Sequence, residues 1–138
     1  MTTACPANGQ PGKSLDSATV KAMLAVSLRA VRDTPYLFCR APDCAVVYYS
    51  ADGAQTFSVD ELREPVFQKQ PADDAVPICY CFRHSVGELR RAAPDERVRI
   101  VADILSGIAA GQCACDLRNP EGTCCLGNVR ALIAALPA

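Results

Sequence analysis

The chain has 138 residues, a formal net charge of −1 from 14 basic and 15 acidic residues, and a composition that is 50% hydrophobic but only 6% aromatic, without Trp. No basic stripe is present, so nucleic acid is not implied, and the longest apolar-leaning run is too short and too interrupted to span a bilayer, so no membrane insertion is expected. The start, MTTACPANGQPGK, lacks the apolar core of a signal peptide, so a cytoplasmic setting is expected.

Residues 1–13 read as irregular, with Pro and Gly around Cys5. Ser14 is a candidate cap for a helix over 15–29, where Val20, Leu24 and Leu28 fall four apart on one face. Tyr36, Leu37 and Phe38 form a strand-like run into Cys39, and RAPDC turns the chain through Pro42 and Asp43. AVVYY, residues 45–49, is the clearest strand. Thr56–Phe57 starts another. Ser58 and Glu61 make a capping box ahead of a short helix with Leu62, and Val66 with Phe67 reads as one more strand. KQPADDAVP is polar and Pro-rich, and a domain boundary is expected near residues 70–75.

Beyond it, ICYCF is a short apolar run. Ser85 and Glu88 form a second capping box before a helix over 86–93, which Pro94 ends. Asp95 caps the next helix, 96–110, whose inner face carries Ile100, Ile104, Leu105 and Ile108; Gly111 suits its C-terminal end. QCACDLRNPEGTC reads as a loop, and a last helix covers 126–136.

The chain holds nine cysteines. In a reducing compartment that density signals metal binding or redox chemistry, and an odd number suits a fully disulfide-paired monomer poorly. One constellation is C79-x-C81, a helical hairpin, then C113-x-C115 and C124-C125. Curled Cys-x-Cys loops expose N–H groups to thiolates, and a helix starting beside Cys124 and Cys125 favours negative charge. The expected occupant is a [2Fe–2S] cluster on Cys79, Cys81 and a cysteine pair from the 113–125 segment. Zinc, a disulfide or simply buried thiols are the alternatives; the C-x₂₋₄-C spacing of structural zinc is absent there. A second constellation is C39-x₄-C44, with Cys5 as a third thiolate. Its expected ion is zinc, completed by Asp43, Asp16, Asn8, a water or His84; reduced, partly buried cysteines are the alternative. His84, the sole histidine, reads as a surface residue near a helix start.

Three stretches, FCRAPDCAVVYYSADGAQTF, VPICYCF and CACDLRNPEGTCCLGNV, resemble the N-terminal, metal-binding portion of CopZ-type copper chaperones. The second half also resembles the bacterioferritin-associated ferredoxin type of [2Fe–2S] domain. The resemblance implies an α+β fold in two lobes: a small zinc-ribbon-like αβ lobe (residues 1–74) with a mononuclear zinc, then a helical [2Fe–2S]-binding lobe (residues 75–138). It implies Cys79, Cys81, Cys113 and Cys124 as cluster ligands, with Cys125 the rival of Cys124, and Cys5, Cys39 and Cys44 as metal ligands. Two departures stand out. The family's C-P-x-C-G reads C5-P-A-N8-G here, and its M-x-C-x-x-C copper loop does not occur in the sequence. The expected function is iron–sulfur electron transfer linked to copper homeostasis, with a redox protein and a copper-binding protein or domain as partners. The alternatives are a Cu(I) metallochaperone or sensor using Cys115 and Cys125 as spare thiols, and a metal-stabilised docking module.

Overall fold

The computed structural model describes residues 4–137 and has an α+β architecture. Four short strands, β1 (Lys13–Leu15), β2 (Tyr36–Phe38), β3 (Val46–Ser50) and β4 (Thr56–Ser58), form an antiparallel sheet in sequence order. Side chains alternate across a strand. Tyr36 and Phe38 therefore join Tyr48, Phe57 and Val20 in one buried cluster, while Leu37 and Cys39 join Tyr49 and Cys5 in another. A bulge between Val46 and Tyr48 shifts the β3–β4 register and lets Val47 share the first cluster with Tyr48. That alternation places Cys5, Cys39 and Cys44 behind the sheet, away from helix α1 (Ser17–Met23).

Helix α1 is shorter than the predicted 15–29. Leu24 leaves the helix to bridge Leu62, Ala25 N–H donates to Glu61 O at 2.8 Å, and Arg63 N–H donates to Met23 O at 2.8 Å. These long-range bonds compete with helix propagation and win; a 3₁₀ turn at Leu28–Ala30 follows, with Leu28 exposed. The Ser58–Glu61 pair does cap, Ser58 N–H donating to the Glu61 carboxylate at 3.0 Å, but the element it opens is a 3₁₀ turn. Val66–Phe67 is not a strand, since Phe67–Lys69 is another 3₁₀ turn.

The second half opens with hairpin β5 (Pro77–Cys79) and β6 (His84–Ser85), followed by α2 (Val86–Arg91), α3 (Pro94–Ala109), α4 (Cys115–Arg118) and α5 (Leu126–Ala135). Pro94 does not merely stop α2. It opens α3, where its missing N–H costs no helical bond, and Glu96 accepts from Ala93 N–H at 3.3 Å, so Asp95 is not the cap. Gly111, at φ +72°, closes α3 as expected. Ile78, Cys79, Leu89, Ile104, Cys125 and Val129 form the core of this half.

The helical half packs against the sheet half. Helix α4 packs on α1. The buried Tyr48 hydroxyl donates to Pro120 O at 2.6 Å. Lys13 Nζ donates to Glu121 O at 3.1 Å and to Thr123 Oγ1 at 2.7 Å, and Gln68 donates to the Glu121 carboxylate at 3.0 Å. The second half thus clasps the sheet through its 119–123 loop. Among the described residues, no helix is long and apolar enough to cross a membrane.

Candidate metal centre

Two turns build the site. In the first, Cys5 N–H donates to Gln10 O at 2.8 Å and Gly9 N–H to Cys5 O at 2.7 Å, with Gly9 at φ +74°. The positive φ explains why glycine follows Asn8. In the second, Cys39 continues from β2, its N–H donating to Val47 O at 2.8 Å, and Cys44 N–H reaches back to Ala41 O at 3.3 Å. The sheet brings the turns together. The Sγ atoms of Cys5, Cys39 and Cys44 all lie within 4.8 Å of one another, with Cys5 and Cys39 buried and Cys44 half-buried. Gly12 makes the packing possible, because a Cβ there would stand 2.3 Å from Tyr49 Oη and 2.8 Å from Phe38 O.

The electrostatics favour thiolate at one end of this set. Burial pushes the Cys39 thiol up, yet hydrogen bonds from Ala41 N–H, the Asn8 amide and the Cys5 thiol, with the nearby Lys69 ammonium, leave it below its ordinary value. Lys69 is held over the second turn by a 2.7 Å bond to Ala41 O. Burial raises the Cys5 thiol against N–H donors from Ala7 and Asn8, and its bond to Cys39 raises it further. Of the pair, Cys39 is thus the more acidic thiol and Cys5 the less acidic one. Buried, convergent sulfurs of this kind match the donor chemistry of a soft or borderline ion such as zinc or Cu(I).

The cysteines of the second half are arranged otherwise. Cys79 and Cys125 lie buried in the core of the helical half, and the Cys125 thiol donates to Cys79. That bond lowers Cys79 to about 6 and raises Cys125, whose burial adds to the shift. Cys81 Sγ meets Cys115 Sγ at 3.4 Å and accepts from Ala114 N–H at 3.3 Å, while burial and the bond to Cys81 push Cys115 up to about 12. Cys113 and Cys124 are exposed on the loops before α4 and α5.

This geometry corrects the [2Fe–2S] expectation. Among the described residues, the Cys, His, Asp and Glu side chains gathered tightly enough to hold an ion are Cys5, Cys39 and Cys44, a set for one ion; Cys79, Cys81, Cys113 and Cys124 form no four-ligand group. The physical reason is that helix packing draws Cys79 and Cys125 inward and leaves Cys113 and Cys124 at the surface. The iron–sulfur electron-transfer reading falls with the cluster. The soft-metal alternative survives, but on the Cys5 set and not on Cys115 and Cys125. His84 is no zinc ligand here: its Nδ1 pairs with Glu88 at 2.8 Å and its Nε2 with Asp103 at 2.7 Å.

Sequence reasoning missed Tyr49 and Lys69 as parts of the site. Strand alternation from Cys39 and the 39–44 turn could have flagged Tyr49. Nothing local signals Lys69, which arrives from a distant 3₁₀ turn.

A family described as a zinc binding domain, of the CopZ type, matches residues 2–63. No curated protein matches the chain. Among solved structures, the X-ray structure of the Archaeoglobus fulgidus CopZ N-terminal domain is similar, with 25% identity, a TM-score of 0.70, and coverage of 98% of this chain and 99% of that one. The likeness extends over both halves, which corrects the expectation of a separate bacterioferritin-associated ferredoxin-type lobe: the chain is similar to one CopZ N-terminal domain from end to end.

Proposed function

We propose that the chain is a soft-metal protein of chaperone type that holds one zinc or Cu(I) ion on Cys5, Cys39 and Cys44 and serves copper handling in a reducing, cytoplasmic setting. The observation that carries this reading is the convergence of the three sulfurs within 4.8 Å. Thiolates suit these ions, and the lowered Cys39 thiol prepares one of them. The likeness to a CopZ N-terminal domain supports the copper context and a copper-handling protein as partner. The division near residues 70–75 belongs to the same proposal. It is supported by separate apolar clusters, one with buried members from Val20 to Val66 and one from Ile78 to Val129.

The test is anaerobic purification with reductant, then titration with Zn²⁺ and with Cu⁺ against a chromophoric chelator. One ion per chain is expected, lost in Cys5→Ser and Cys39→Ser and retained in Cys115→Ser. Binding retained in the first two variants and lost in the third would overturn the assignment.

A further inference from the structure

Asn8 stands where the resembled motif carries a second cysteine, and its side chain is committed at both ends. Its Oδ1 accepts from Gln10 N–H at 2.8 Å, and its Nδ2 donates to Cys39 Sγ at 3.3 Å. An amide coordinates metals through its oxygen, because the nitrogen lone pair is delocalised, and here the oxygen is turned into its own loop. Among the described residues, no His, Asp or Glu donor atom joins the three sulfurs. His84, the sole histidine, is taken by Glu88 and Asp103. The surroundings are one-sided. Leu37, Ala41, Tyr49 and Ala51 bury Cys5 and Cys39, whereas Cys44 is half-buried and lines an open depression of about 540 Å³ with Asp43, Arg63, Glu64 and Lys69.

We propose that Asn8 is a positioning residue that holds the Cys39 thiolate without ligating, so that the bound ion has three protein thiolates and takes its fourth donor from outside the chain, along the Cys44 depression. This rests on the soft-metal reading above. The external donor is water in the isolated protein and is exchangeable for a thiolate. A closed four-thiolate site would hold its ion as a structural clamp, and this one is left open for ligand exchange. The replacement of cysteine by asparagine thereby changes what the site does with its ion and not only how many sulfurs it has. The thiolate it supports also loses less of its charge stabilisation than if the position were apolar, since a donor to a charged group is among the stronger hydrogen bonds.

The experiment uses the full chain loaded with ¹¹³Cd²⁺ as a d¹⁰ stand-in for zinc and follows the cadmium NMR shift as 2-mercaptoethanol is added. Wild type and Asn8→Ala are expected to start at a three-sulfur shift and move toward a four-sulfur shift. Asn8→Cys is expected to start at the four-sulfur shift and stay there. Asn8→Ala is further expected to bind zinc about tenfold more weakly, from loss of one bond to a charged sulfur. A wild type that ignores the thiol while Asn8→Ala responds would make Asn8 a ligand and overturn the inference. So would a wild type already at the four-sulfur shift, or an unchanged zinc affinity in Asn8→Ala. If Asn8→Cys does not fold, the wild-type and Asn8→Ala comparison still decides. A wild type that binds no cadmium at these cysteines is a different failure, since it removes the soft-metal reading itself.

Discussion

Replacing Tyr48 by Phe removes one oxygen from the contact that ties the two halves together. The Tyr48 side chain is 0% exposed, and its hydroxyl donates to Pro120 O at 2.6 Å. Burial raises this hydroxyl far above its ordinary value, so it remains a neutral donor at any working pH. The ring, packed against Phe38, keeps its place in Tyr48→Phe, with centroids 6.3 Å apart in the parent. The loss is therefore that of the hydrogen bond plus an acceptor left in a dry site, about 1–3 kcal/mol. For a chain of this size that is a fall of roughly 4 °C in Tm per kcal/mol. Urea denaturation followed by circular dichroism gives the free energy, and parallel fluorescence of the tyrosines reports whether both halves unfold together. A change under about 0.3 kcal/mol, or wild-type transitions that separate by probe, would refute the idea that this bond couples the halves.

Other outcomes follow from the same contacts. Gly12→Ala is expected to cost about 1–3 kcal/mol by denaturant melt, because the new methyl meets both Tyr49 Oη and the Phe38 carbonyl. Arg97→Ala is expected to cost about 2–3 kcal/mol in the same assay: Arg97 is buried and donates to Leu89 O at 3.0 Å and Pro137 O at 2.9 Å, so its loss strands carbonyls beside α2 and α5. His84 is opposed by burial, but Glu88 and Asp103 outweigh it and raise its value. Its contribution is then complete below its unfolded value near 6.5 and fades as pH rises through the raised folded value, a slope that His84→Gln should remove from a pH series of melts. Lys69→Gln is expected to raise the Cys39 thiol toward its ordinary value, seen as a later thiolate absorbance step in a pH titration of the metal-free chain.

The part of the fold written in local pattern was legible in the residues. AVVYY reads as a strand from its branched and aromatic side chains, and α3 and α5 from apolar positions on one face; β3 lies at Val46–Ser50, α3 at Pro94–Ala109 and α5 at Leu126–Ala135. Helix α1 was legible only in its middle: Ser14 and Leu15 belong to β1, Asp16 precedes the helix, and its end is decided by bonds to residues 61–63, which no window around Leu24 contains. Strand β1 and helix α4 went unread for the same reason: Lys13–Leu15 is a strand because β2 pairs with it, and Cys115–Arg118 coils where it packs on α1.

The cysteines divide along the same line. Their number and the C39-x₄-C44 spacing are properties of the chain, and they announce thiolate chemistry before any fold is known. Which sulfurs meet is a property of the packed molecule. Strand alternation puts Cys39 and Tyr49 on the face that Cys5 reaches, so Cys5, Cys39 and Cys44 converge. Helix packing instead draws Cys79 to Cys125 and Cys81 to Cys115, leaving Cys113 and Cys124 in solvent, an outcome that Cys-x-Cys spacing does not encode. Asn8 shows the limit most directly. The sequence alone determined that residue 8 is an amide, where the resembled motif implies a thiol; only the tertiary structure decided that this amide turns nitrogen to sulfur, because Gln10 N–H holds the oxygen away.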